Sequence, residues 1–121
     1  MQALVQCARR LEPVPERFAA VDRSAFTVPE CQTPVHIFPE FRDGKMHFYA
    51  DVNARQSPTV AAVLAVVLGA VNDQPPPVTL AIPPDFVRTL MAGMGLHTRE
   101  LGLDAIIRRL KRHAAEHAAA A

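Results

Sequence analysis

One cysteine, Cys31, stands on a short polar connection between two prolines, in the stretch Val28-Pro29-Glu30-Cys31-Gln32-Thr33-Pro34-Val35, just ahead of an apolar run that can enter a sheet. A thiol has two uses: as a small hydrophobe it packs, and as a thiolate it attacks sulfur or carbon. The second use needs access and ionisation more than packing. Proline-flanked connections lie at the surface and hold their side chains in place, so the location favours the reactive use. Glu30 is an acid and disfavours ionisation of its neighbour, so a positive partner must come from elsewhere in the chain. Arg99, at the start of the last helix, is the candidate for that role.

Cys7 falls close to the apolar stripe of a first helix and reads as a semi-buried core residue. A redox pair between Cys7 and Cys31 is a third possibility, and it requires the two sulfurs to come within bonding geometry. The histidines, His36, His47, His97, His113 and His117, show no spacing with the cysteines that matches a structural zinc motif. His113 and His117 stand four apart on an alanine-rich tail expected to fray. No metal site and no bound cofactor is expected, and there is no Gly-rich phosphate loop, Gly-x-Ser-x-Gly elbow or carboxylate pair. The run Arg108-Arg109-Leu110-Lys111-Arg112 reads as a solvated last turn that complements the helix dipole. No aromatic residue interleaves with it, so stacking on single-stranded nucleic acid lacks its usual partners.

Composition agrees with a soluble protein that binds no nucleic acid electrostatically. Of 121 residues half are hydrophobic and 21% are charged, with a formal net charge of +1. That length fits a single domain over residues 1–121. Two cysteines make no disulfide framework, and the chain reads as a reduced intracellular protein. The most apolar segment, 59–71, is too short to cross a bilayer, and the N-terminus has no secretory pattern. The expected compartment is the cytoplasm, or the plastid stroma if a transit peptide has been removed.

The elements that must position Cys31 follow from periodicity. Leu4, Ala8 and Leu11 predict a short amphipathic helix that Pro13 and Pro15 stop. An irregular connection runs from Pro13 to Pro34. Alternation then predicts strands through Val35 and Ile37 and through Met46, Phe48, Ala50 and Val52. Asp43-Gly44 between them is the pair that best tolerates the positive φ of a tight hairpin turn. Ser57-Pro58 starts a helix that is apolar on nearly all sides and is therefore expected to be buried. Pro75-Pro76-Pro77 is expected to end it, and Pro83-Pro84-Asp85 to start a short helix that Gly93 and Gly95 close. Thr98 caps a last amphipathic helix whose stripe is Leu103, Ile106, Ile107, Leu110 and Ala114. The fold class is α+β: a small antiparallel sheet, a hairpin plus about one more strand, covered by helices.

Read in order, Ala8-Arg9-Arg10-Leu11-Glu12-Pro13-Val14-Pro15-Glu16, then Cys31-Gln32-Thr33-Pro34-Val35, then Thr98-Arg99-Glu100-Leu101-Gly102-Leu103, the chain resembles the SufE family of sulfur acceptor proteins over nearly its whole length. The family pattern is a Leu-Pro-x-Leu-Pro-Glu type segment, Gly-Cys-x-Ser-x-Val-Trp, a hairpin, a buried helix and a late Ser-Arg-x-x-Gly-Leu. Arg99, Gly102 and Asp51 fall on matching positions. Glu30 stands where the family has glycine, Pro34 where glutamine is common, His36 where tryptophan is usual and Leu101 where asparagine is frequent.

The resemblance implies an α+β fold like the IscU scaffold. It also implies that Cys31 accepts sulfane sulfur from the persulfide of a pyridoxal-phosphate-dependent cysteine desulfurase, of the SufS or the related CsdA type. The sulfur then passes toward iron-sulfur cluster assembly on a scaffold such as the SufBCD complex. Glu30, Gln32, Thr33, Asp51 and Arg99 are the implied partner-binding residues, with Arg99 also supporting the thiol. On this reading the protein is a sulfur carrier and desulfurase activator, not an enzyme acting on a small substrate. The competing reading is a helical or α+β binding module, for a scaffold or nucleic acid, in which Cys31 is structural.

Overall fold

The computed structural model describes residues 9–20, 23–29, 34–93 and 101–120. Among these, two strands, β1 (Val35–Arg42) and β2 (Lys45–Val52), pair antiparallel. Four helices follow: α1 (Pro58–Val71), α2 (Pro76–Leu80), α3 (Phe86–Gly93) and α4 (Leu101–Ala120). Two short 3-10 turns, Glu16–Phe18 and Arg23–Phe26, precede the sheet. This is the α+β architecture expected, with single bridges rather than a third full strand beside the hairpin: Thr27 to His36 along β1 and Met46 to Gln74 along β2.

The hairpin closes with Arg42 opposite Lys45 across Asp43 (φ 55°) and Gly44 (φ 77°). Two consecutive positive φ values define the turn whose twist matches paired strands, and Asp-Gly adopts them at low cost. From that register every second residue faces the helices: Val35 and Ile37 on β1 and Met46, Phe48 and Ala50 on β2 are buried. Their core partners are Val63, Leu64, Val67 and Val71 of α1, Val87 and Met91 of α3, and Leu103, Ile106 and Leu110 of α4. The predicted stripe of α4 is buried along its whole length. Pro39 pairs with Phe48, a position whose backbone groups point away from the partner strand, so its missing N–H costs the ladder nothing.

The opposite face of the hairpin is aromatic and is covered by the connection before it. Phe18 stacks on Phe38 with centroids 5.0 Å apart, and Phe26 lies 5.2 Å from the same ring. Arg17 makes a forked contact to Glu40 and a bond of 3.2 Å to the Tyr49 hydroxyl. Farther along, His47 places Nδ1 2.9 Å from Asp73 and Nε2 3.0 Å from Glu12, joining three segments at one ring.

The outer edge of β2 is closed by the chain leaving α1. Met46 N donates to Gln74 O, Asp73 N donates to Met46 O, and the Asn72 side chain accepts from Phe48 N (2.7 Å) and donates to Phe48 O (3.1 Å). Asn72 thus stands in for one residue of a third strand, which satisfies the backbone groups of the fully buried Phe48.

Two expectations change, a third is met and extended, and a fourth lies largely outside the described residues. The predicted first helix lies largely outside the described residues, with Arg9 and Arg10 in a turn. Helix α1 is buried nearly all round at Ala61, Ala62, Val63 and Leu64, as expected, but its second half exposes Val66, Gly69 and Ala70. The prolines at 75–77 do more than stop α1, since Pro76 occupies the first turn of α2, where its missing N–H would be unbonded anyway. The alanine-rich tail, expected to fray, is helical to Ala120, with His117 stacked on Phe41 at 5.0 Å and His113 buried. Packing against the sheet outweighs the weak tendency of a helix end to open.

Candidate functional site

Of the residues singled out in the sequence, Cys31, Glu30, Gln32, Thr33 and Arg99 lie outside the described residues, as do Cys7 and Thr98. Asp51 is described. It sits half-buried on β2, one residue from the strand end and in register with His36. The flanks of the 30–33 segment are described as well, and they are held at the open end of the hairpin, away from the Asp43-Gly44 turn.

Three bonds hold those flanks. Val28 N donates to Val35 O at 2.9 Å, which pairs the chain before the segment with the chain after it. Thr27 Oγ1 and His36 Nδ1 share a hydrogen bond of 2.9 Å across the Thr27 to His36 bridge. From α4, Arg109 Nη2 donates to Thr27 O at 2.9 Å. Val28 is buried, whereas Pro29 and Pro34 are exposed. Val35, which follows Pro34, is buried again at the start of β1. His36, where the family pattern has tryptophan, keeps an aromatic ring over Phe38 (6.4 Å between centroids) and adds a ring nitrogen that the Thr27 hydroxyl uses.

Two contacts fix the direction of α4. Arg109 meets Thr27 beside the start of β1, and His117 meets Phe41 near its end, so helix and strand run the same way. The eight steps from Leu101 to Arg109 rise about 12 Å, which carries the N-terminal end of α4 past the start of β1 on the open side of the hairpin. A helix N-terminus presents unbonded N–H groups and about half a positive charge. The same end of the domain thus collects the flanks of the cysteine segment, Asp51 and the positive pole of α4.

Sequence reasoning missed Arg109 and Thr27, because a basic run near a helix end reads as a solvated turn. Arg109 and Lys111 instead bond backbone carbonyls, of Thr27 and of Ile82, and Arg112 faces Glu116 at 3.7 Å. One signal was available: Arg109 lies three residues after Ile106, at the margin of the apolar stripe and not opposite it. Among the described residues, no group of three or more His, Cys, Asp or Glu side chains is arranged to hold a metal ion. No helix among them is long and apolar enough to cross a membrane.

Comparison with known proteins agrees with this architecture. The chain is 28% identical, over 120 residues, to uncharacterized SufE-like proteins from two strains of Mycobacterium tuberculosis, covering 96% of this chain and 80% of those. It is similar in structure to a hypothetical protein from Thermus thermophilus solved in solution, with a TM-score of 0.76, 28% identity, and coverage of 95% of this chain and 81% of that one. The family model described as SufE, Fe-S metabolism associated domain, matches residues 1–114, and the chain belongs to the SufE family.

Proposed function

We propose that the protein accepts sulfur on Cys31 from the persulfide of a pyridoxal-phosphate-dependent cysteine desulfurase and relays it toward iron-sulfur cluster assembly. The observation that carries the reading is the family match over residues 1–114, joined to a cysteine between exposed prolines whose flanks are bonded to the domain. The step is a thiol exchange. The Cys31 thiolate attacks the outer sulfur of the enzyme's persulfide, the sulfur–sulfur bond of that persulfide breaks, and the enzyme cysteine leaves as a thiolate. Cys31 then carries the persulfide, and neither oxidant nor reductant is consumed. Pyridoxal phosphate belongs to the partner.

Such an exchange asks this chain for an accessible thiol with a stabilised anionic form. The positive pole of α4 at the open end of the hairpin supports the second requirement, and Arg99, two residues ahead of Leu101, is the side chain proposed to reinforce it. Glu30, Gln32, Thr33 and Asp51 are proposed to meet the desulfurase around the thiol. SufS-type and CsdA-type enzymes, and a SufBCD-like acceptor, share this chemistry. The proposed setting is the cytoplasm or the plastid stroma, with residues 1–121 acting as one domain.

Incubation with a cognate desulfurase and cysteine, followed by intact-mass measurement, tests the proposal. Wild type gains one sulfur, and Cys31→Ser gains none while keeping its far-ultraviolet spectrum; a serine variant that still gains sulfur rejects the assignment. In the same mixture Arg99→Ala stimulates the desulfurase less than wild type, and equal stimulation removes Arg99 from the site.

A further inference from the structure

We propose that the groove along the outer edge of β2, beside the exposed side of α1, binds an extended acidic peptide segment of a partner protein as a further strand. The groove is formed by described residues and stands apart from the sulfur-acceptor reading of Cys31.

The sheet edge supplies the hydrogen bonds. In an antiparallel pair the backbone groups of alternate residues point away from the partner strand. Phe48 N and O are bonded by Asn72, and Met46 N and O by Gln74 and Asp73, so these two residues point outward. Ala50 continues the alternation, pairing with Ile37 as Phe48 pairs with Pro39. Its N–H and C=O therefore face the same edge, beyond the reach of Asn72, and have no partner among the described residues. Ala50 is 4% exposed, and a buried peptide group left unpaired is costly.

Room for the missing partner lies beside it. A cavity of about 480 Å³ is lined by Ala50 on one side and by Ala65, Val66 and Gly69 of α1 on the other, within the size range of ligand sites. Glycine weakens a helix interior, and a Cβ at Gly69 would meet nothing within 4 Å, so packing inside the domain does not call for glycine there. Its effect is to keep the wall low where another backbone can approach.

Charge selects the peptide. Glu12 and Asp73, which also line the cavity, are both bonded to His47, at 3.0 and 2.9 Å. Arg10 in the same lining and its neighbour Arg9 are exposed and have no partner among the described residues. The charge left for a visitor is positive and complements an acidic side chain. In strand addition of this kind main-chain bonds give affinity and side chains give selection.

The test titrates the full-length chain, isotope-labelled for nuclear magnetic resonance, with the acetylated and amidated peptide Thr-Val-Glu-Val-Thr. The Ala50 amide shifts saturably at millimolar peptide or below, and its hydrogen exchange slows. Methylating alternate backbone nitrogens of the peptide gives two versions, of which one binds and the other does not. Gly69→Leu fills the groove while removing a helix-weakening residue, and it lowers affinity about tenfold at an unchanged far-ultraviolet spectrum. Should it fail to fold, Val66→Glu on the same wall carries that arm by repelling the peptide. Arg10→Gln, or glutamine in place of the peptide's glutamate, each weakens binding about threefold, the scale of an exposed ion pair, and the two together cost no more than one. No saturable shift at Ala50, or equal binding by both methylated peptides, overturns strand addition. Wild-type affinity in the folded groove variants overturns the site, and affinity indifferent to both glutamine exchanges overturns the preference for an acidic partner.

Discussion

The two ends of the hairpin are built by different rules. At the closed end, Asp43 and Gly44 turn the chain by their own backbone preferences, and the register from Arg42↔Lys45 onward follows from that turn. At the open end the chain is held by contacts between distant residues: Val28 with Val35, Thr27 with His36, and Arg109 of α4 with Thr27. The closed end needs only its own sequence. The open end needs α4 in place, because one of its bonds comes from Arg109.

That contrast can be broken in order of expected size. Asn72→Ala has the largest effect: it leaves Phe48 N and O without the amide that completes the β2 edge, and an unsatisfied buried backbone pair costs about 2–3 kcal/mol in chemical denaturation. A loss below about 0.5 kcal/mol would show that water replaces the amide. Gly44→Ala comes next. A Cβ there meets nothing within 4 Å, so the cost is the positive φ alone, about 1 kcal/mol, and the sulfur-acceptance assay stays at the wild-type level. A closed-end variant that changes acceptance would mean the two ends are coupled.

The third effect is smaller and depends on pH. Burial lowers the pKa of His113, against an opposing pull from Glu116, and its Nε2 has no partner among the described residues. A depressed histidine pKa means that the unfolded chain takes up the proton first. Stability is then full above the ordinary histidine value of 6.5 and falls as pH drops below it. The melting temperature should decline from pH 7 to pH 5 more steeply in wild type than in His113→Gln. Parallel curves would assign the acid sensitivity to other groups.

Local rules made much of the fold legible. The alternation through Met46, Phe48 and Ala50, the Asp43-Gly44 turn, proline at the start of α1 and the stripe of α4 each act within a few residues, and each appears where the sequence puts it. What was not legible acts at long range. Nothing near Asn72 says that its side chain completes a strand edge, and nothing beside Arg109 says that it bonds the carbonyl of Thr27. The alanine tail defeats local reasoning for the same reason: propensity describes an isolated helix end, and His117 on Phe41 with His113 buried are tertiary facts. Of the candidate site, the cysteine and its family pattern are legible in the sequence, and the residues that anchor its flanks are not.

The most direct measurement locates the transferred sulfur. After incubation with a cognate desulfurase and cysteine, the protein is alkylated, digested and analysed by peptide mass spectrometry. The expected result is one added sulfur on the peptide containing Cys31 and none on the peptide containing Cys7. Sulfur found on Cys7, or on neither peptide while the desulfurase turns over, contradicts it.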